Sequence, residues 1–402
     1  MKKIAIIGTA GVPARYGGFE TLVHHLVQHM TEEYDVSVYC SKHFYKKEER
    51  TKHWNKARLI YLPFHANGIQ SIIYDIFSIL HAIFYADTLL ILGVSGGIAI
   101  PFVKLFSKKK IIINIDGLEW RRQKWNALVR KFLKYSEKLA VKYSDADITD
   151  NESIKRYTAM YYKTLSHLIE YGGNHCYQQT ITKKHKQIYP FLRKPYAFKV
   201  CRIEPENNVH LILATFSKVP SKVLVVVGNW EKSSYGQKLK EKYEQYDNLY
   251  LINPVYEQRE LDLLRSNCHV YIHGHSAGGT NPSLVEAMYL ALPIIAYDIS
   301  YNRATTENQA IYFKNETHLF KILNTTPLSK FIELRTKMKL IADSRYTWSI
   351  IAQKYISLIK SFDYQYKKKS INATISKLSE DELRKLGAAH LKKPALFYED
   401  LD

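Results

Sequence analysis

Short apolar runs alternate with longer stretches of mixed periodicity along the whole chain. In the first half, residues 4–8, 36–40, 59–62, 88–93, 111–115 and 146–149 are short, mainly apolar runs. That is the mark of strands buried on both faces. Between several of them lie amphipathic stretches, such as 19–30 and 125–144, whose apolar positions recur at helical spacing. After the segment 190–195, which carries Pro190 and Pro195, the pattern restarts with runs at 196–203, 223–228, 249–251, 270–272, 293–297 and 310–313. Strands bounded by helices predict parallel sheets covered on both faces, here as two Rossmann-like α/β domains at 1–191 and 192–345. Residues 346–363 read as one further helix. Residues 364–402 read as an extension, with Tyr366-Lys-Lys-Lys-Ser and a polar 376–386 stretch suited to a short helix.

Length and charge sharpen this picture. A chain of 402 residues exceeds one ordinary core, which agrees with two domains. Lysine and arginine number 58 against 38 acidic residues, a formal net charge of +20 that favours anionic partners. Cys40, Cys176, Cys201 and Cys268 lie far apart without CxxC spacing, so neither a zinc site nor a disulfide framework is expected. The first apolar run is a short strand ending in glycine, not a secretory leader. The apolar region 69–92 is interrupted by Asp75, His81 and Asp87, too often for a spanning helix. A soluble or peripheral protein of the cytoplasm is expected.

The chemistry concentrates in residues 271–295, YIHGHSAGGTNPSLVEAMYLALPII. A strand runs into a glycine-rich turn, and a helix starting near Pro282 carries Glu286. Glycines let the backbone approach a ligand, and a helix start offers unpaired N–H groups to an anion. A carboxylate there accepts hydrogen bonds from sugar or ribose hydroxyls. The combination suits a nucleoside diphosphate sugar, with His273, His275, Gly278, Gly279, Thr280, Asn281 and Ser283 around it. A second loop, residues 8–20, lacks G-x-G-x-x-G spacing; instead Gly17 and Gly18 open a helix towards a phosphate. Arg15 and Glu20 are further candidates in it. Asp116 ends the fifth strand, a common ligand position in α/β proteins, and Glu119 and Trp120 suit an acceptor wall. Arg121, Arg122, Lys124, Arg130, Lys131, Lys134, Lys138 and Lys142 load one amphipathic region with charge. Such a charge run is ordinarily a solvated helix face, and basic amphipathic helices also bind anionic membrane surfaces; no nucleic-acid recognition module is visible.

Four ordered motifs carry a family resemblance: residues 4–27 with VPARYGGFET, 116–125 (DGLEWRRQKW), 199–213 (KVCRIEPENNVHLIL) and the 271–295 stretch. Together they resemble retaining GT-B glycosyltransferases of family 4, in the branch of bacterial capsular and exopolysaccharide rhamnosyltransferases. The resemblance covers about residues 1–362. It implies two Rossmann-like domains facing each other across a cleft, with a C-terminal helix crossing back to the first. It implies sugar transfer, at best dTDP-L-rhamnose, to a polyprenyl-diphosphate-linked saccharide at the inner face of the cell membrane. A UDP-hexose or UDP-N-acetylhexosamine donor is the alternative, as is a nucleotide-sugar 2-epimerase or a non-catalytic assembly subunit. No cofactor and no metal are expected, since no Asp-x-Asp motif stands out in the donor region. Arg202 matches the family's diphosphate-binding arginine, but Asn207 stands where the partner lysine would be, and Lys218 is a candidate substitute. Glu286 matches the second carboxylate of the Glu-x7-Glu pair; Gly278 replaces the first. Asp116 stands where relatives place a sugar-contacting histidine.

Overall fold

The structure is a computed structural model that describes residues 1–15, 17–121, 125–364, 366–370, 379 and 381–382. The chain divides into two compact units, one of residues 1–170 with 348–402 and one of residues 171–347.

Among the described residues the first unit is built on eight strands: β1 (Lys3–Ile7), β2 (Asp35–Ser41), β3 (His53–Trp54), β4 (Ala57–Leu62), β5 (Thr88–Leu92), β6 (Lys110–Asn114), β7 (Ala146–Thr149) and β8 (His167–Leu168). Their order is β3-β4-β2-β1-β5-β6-β7-β8, and only β3 is antiparallel to its neighbour. Ile4 to Ile7 and Leu89 to Ile91 are wholly buried, as continuous apolar runs demand of a sheet covered on both sides. The strand order reverses between β1 and β5. The helix Trp348–Ser361 belongs to this unit, where it packs on the helix Gly18–Met30. Trp348 stacks on His25 with ring centroids 4.5 Å apart, and the Tyr355 hydroxyl accepts from Asn114 Nδ2 at 2.9 Å.

The second unit holds six parallel strands: β9 (Tyr196–Val200), β10 (Val223–Val227), β11 (Leu249–Ile252), β12 (Val270–His273), β13 (Ile294–Tyr297) and β14 (Ile311–Phe313). Their order, β11-β10-β9-β12-β13-β14, is that of a doubly wound Rossmann sheet, with its reversal between β9 and β12. The expected runs all form strands, at 146–149 with the expected ends and elsewhere with an end shifted by one to three residues. The two-residue strands β3 and β8 are too short to leave a periodic signal.

Residues 171–191, expected with the first domain, lie with the second unit. Their backbone is tied to the helix Gln258–Ser266 and the turn after it: Tyr177 N donates to Asp262 Oδ2 at 3.1 Å, Gln179 N to Ser266 Oγ at 3.1 Å, and Asn267 Nδ2 to Gln179 O at 2.9 Å. The proline-flanked segment that suggested a boundary is instead a packed turn, with Phe191 against Tyr196 and Tyr250.

The start of the C-terminal extension has a structural role. Ser370 bridges Thr164, and Leu165 N donates to Lys369 O at 3.1 Å, just before the edge strand β8. Lys368 reaches the buried Asp147 carboxylate at 2.7 Å. Lys368→Met removes that cation and leaves Asp147 buried, so a loss of about 2 kcal/mol is expected. An unchanged urea midpoint would show that the contact is not holding the segment. The short helix expected at 376–386 falls almost wholly outside the described residues.

Candidate functional site

In doubly wound sheets ligands settle outside the carboxyl ends of the strands, where the order reverses. In the second unit that point lies between β9 and β12, and β12 delivers His273 directly to it. Residues 274–281 then lead into the helix Pro282–Tyr289. The loop is held from three sides. Asn208 Nδ2 donates to Gly274 O at 2.8 Å, Ser276 N to Glu206 O at 2.8 Å, and Asn302 Nδ2 to His275 O at 2.9 Å. Gly278 has φ +124°, a conformation that favours glycine, and a Cβ there would sit 3.0 Å from His275 Nε2. Asn281 caps the helix by accepting from Ser283 N at 3.1 Å. The Ser283 hydroxyl also donates to Asn281 Oδ1 and accepts from Tyr271. Thr280 is buried, whereas Gly278 and Gly279 are partly exposed.

Glu286 faces the segment 171–179. Its Oε2 is bound by the Arg265 guanidinium, and its Oε1 lies 3.3 Å from His175 Nε2. Burial alone would raise its pKa, but Arg265 and His175 outweigh that and hold the carboxyl at about 2. Glu286 is therefore an ionised acceptor of fixed orientation. Gly173 permits the approach, since a Cβ there would lie 2.7 Å from Val285 O. His175, Cys176 and Glu286 bring ligand atoms within 4.8 Å of one another, a spacing that a metal ion can use. However, Arg265 Nη1 already sits 3.4 Å from Cys176 Sγ and on Glu286. A divalent ion would face that guanidinium, so this donor set suits an arginine and not a metal.

Arg202 is partly exposed and lies 3.6 Å from Glu204. Asn207 is buried, with Nδ2 donating to Arg202 O at 2.9 Å and Oδ1 3.0 Å from His275 Nδ1. Both ends of its amide are thus engaged in holding the two loops. Lys218 does not replace the missing lysine. It follows the helix Val209–Phe216, which runs back to the amino ends of the strands, and it pairs with Glu316 at 2.9 Å. Sequence reasoning missed Lys199, which is buried at the carboxyl end of β9 beside Cys201 with its pKa lowered by burial. His273 Nε2 is buried without a hydrogen-bond partner among the described residues, and burial, with Lys199 nearby, keeps the ring neutral.

In the first unit, Gly17 has φ +129° and caps the helix that begins at Gly18. A Cβ at Gly17 would lie 1.8 Å from Glu20 Oε2, because Glu20 folds back to accept from Ala10 N at 2.7 Å and Thr9 Oγ1 at 3.2 Å. Burial raises the Glu20 pKa. Arg15 pairs with Glu49, donates to Phe44 O at 3.2 Å and lies over the Tyr45 ring, an anchoring set of contacts. Asp116 takes a left-handed conformation, φ +59°, and its N–H donates to Asn114 Oδ1 at 3.0 Å. Glu119 accepts from Trp125 Nε1 at 3.0 Å, and Lys134 lies 4.5 Å from the Trp120 ring centre. Arg122 and Lys124 lie outside the described residues.

Residues 1–174 match the family model "Domain of unknown function (DUF1972)", and residues 180–318 match "Glycosyl transferases group 1". The stretch matched by the second model holds Arg202, Asn207, the 273–283 loop, Arg265 and Glu286, while His175 lies just before it. "Glycosyltransferase 1 domain-containing protein 1" of Xenopus tropicalis is 25% identical over 147 residues, 35% of this chain and 42% of that protein. The match thus spans less than half of that relative. Among solved structures, a sucrose-phosphate synthase from Thermosynechococcus elongatus superposes with TM-score 0.73 at 16% identity, covering 91% of this chain and 100% of that one. HepE of Anabaena in complex with UDP gives 0.69 at 13%, covering 90% and 100%. A putative UDP-N-acetylglucosamine 2-epimerase from Listeria monocytogenes gives 0.59 at 14%, covering 93% and 99%. The fold is that of the GT-B glycosyltransferases.

Proposed function

We propose that the chain is a retaining glycosyltransferase that moves a sugar from a nucleoside diphosphate onto a hydroxyl of a lipid-linked saccharide in cell-surface polysaccharide assembly. The observation that carries this reading is Glu286. It is an ionised carboxylate of fixed orientation on the helix that follows the glycine-rich loop, at the point where the strand order reverses. An ionised carboxylate only accepts hydrogen bonds, which suits the hydroxyl pair of a ribose. Arg202 and the N–H groups of Gly278, Gly279 and Thr280 are assigned to the diphosphate, where they stabilise the leaving charge without proton transfer. Acceptor recognition is assigned to the first unit, with Asp116, Glu119 and Trp120. The donor proposed is dTDP-L-rhamnose; its missing 6-hydroxyl accords with Gly278 standing where relatives carry a carboxylate.

Thermal stabilisation by dTDP, UDP, GDP, their common sugars and NAD tests the reading, because a ligand that binds only the folded chain raises its melting temperature. The largest rise is expected with dTDP and dTDP-rhamnose. A preference for UDP replaces the donor and keeps the class; no rise with any nucleotide overturns the transferase reading. A 2-epimerase shares the fold, and isomerised sugar nucleotide in an acceptor-free reaction would identify one.

A further inference from the structure

Three helices of the first unit gather around the turn Gly97–Ala99: Gln70–Ala82, Ile100–Phe106 and Ala127–Tyr143. The helix Ile100–Phe106 buries Ile100 and Val103 but leaves Phe102 54% exposed, Leu105 76% and Phe106 67%. The Phe102 and Phe106 rings pack on each other, with centroids 4.6 Å apart. Ser107 and three lysines, Lys108 to Lys110, follow immediately, and no acidic residue occurs between 100 and 110.

The neighbouring helix Ala127–Tyr143 buries Leu133, Ser136, Glu137, Ala140 and Val141. Its opposite face presents Leu128, Lys131, Tyr135, Lys138 and Lys142 at successive steps of three or four residues, all exposed. Its sole acidic residue, Glu137, points inward. Two packed helices thus expose large apolar side chains and lysines together, with no outward carboxylate on either helix. Isolated exposed apolar residues are ordinary, but a cluster framed by one sign of charge marks an interaction face. Charge complementarity selects the occupant. An anionic bilayer supplies an acyl boundary for the aromatic groups and a negative headgroup layer for the lysines, whose stems extend along apolar surface.

We propose that this face docks the chain on an anionic membrane by inserting Phe102, Leu105 and Phe106 into the acyl boundary, with the Lys131–Lys138–Lys142 stripe on the headgroups. The inference deepens the lipid-linked acceptor reading, yet its test needs no sugar substrate. A negative donor panel therefore leaves it standing, and its own failure leaves the chemistry standing.

The full chain is sedimented with vesicles of phosphatidylcholine, with and without phosphatidylglycerol, at low and high salt. Binding is expected only with phosphatidylglycerol, and part of it should survive high salt, which screens surface charge but not apolar insertion. Phe102→Ser/Leu105→Ser/Phe106→Ser should lower the partition coefficient by roughly tenfold or more without lowering the melting temperature, because the three side chains are already exposed. Lys131→Glu/Lys138→Glu/Lys142→Glu should remove the salt-sensitive part. The proposal is overturned by absent binding to phosphatidylglycerol, or by equal binding of the triple serine variant. It is equally overturned if vesicles go unbound while light scattering shows a dimer that the serine variant dissolves, which assigns the face to a second copy of the chain.

Discussion

Replacing Arg265 by methionine is expected to destabilise the second unit by about 3–5 kcal/mol, the loss typical when one partner of a buried ion pair is removed. The Arg265 side chain is 1% exposed and Glu286 13%, so methionine fills the space but leaves a buried carboxylate with only His175 opposite. Chemical denaturation at neutral pH reads the loss directly. Adding Glu286→Gln to the Arg265→Met chain should recover much of it, because both charges are then gone. The acid limb is a second readout. The folded-state pKa of Glu286 is depressed from 4.5 to about 2. Its contribution, roughly 3 kcal/mol, is therefore complete above the unfolded pKa and fades as pH falls from about 4.5 towards 2. In Arg265→Met that part of the pH dependence should flatten. A wild-type midpoint in the single variant, or no recovery in the double, would sink the assignment of Glu286 as an arginine-held anion.

The same ion pair shows what was legible in the sequence. Glu286 stood out because it follows a strand, a glycine turn and a helix start in local order. Its partners could not be found that way: Arg265 sits on the preceding helix and His175 on a segment that no periodicity marks. Only the fold brings them together, and only there does a carboxylate assigned to ribose become one whose charge is fixed by the protein. The sheets were readable for the opposite reason. Buried parallel strands such as β1, β5 and β10 are continuous apolar runs that no surface helix would tolerate, so their existence follows from composition alone. Two-residue strands have no period, and the turn residues Gly172, Gly173 and Asn174 beside the division at residue 170 compete with the prolines of 190–195, which belong to a packed turn instead. The exposed Phe102, Leu105 and Phe106 were invisible for a further reason. In sequence they continue an apolar helix, and burial is what separates them from Ile100 and Val103.

Position 207 turns such a reading into a measurable difference. Arg202→Ala is expected to lower kcat by roughly 10²–10³, the usual consequence of removing one preorganised group that stabilises developing charge. Arg202→Lys should recover only part, since a point charge cannot reproduce a forked pair of hydrogen bonds. If Asn207 merely lacked a useful charge, Asn207→Lys would tighten nucleotide binding and offset part of the Arg202→Ala defect. The structure argues otherwise. Asn207 is 5% exposed, with its amide joining Arg202 O to His275 Nδ1, and His275 in turn lies against Gly278 in the loop assigned to the diphosphate. A lysine there cannot accept from His275, and its ammonium would be buried next to an imidazole. Asn207→Lys should therefore weaken nucleotide binding and lower the melting temperature, alone and in the Arg202→Ala background. Tighter binding of dTDP or UDP by Asn207→Lys would show instead that position 207 faces the ligand, and the positioning role given to the asparagine would fall.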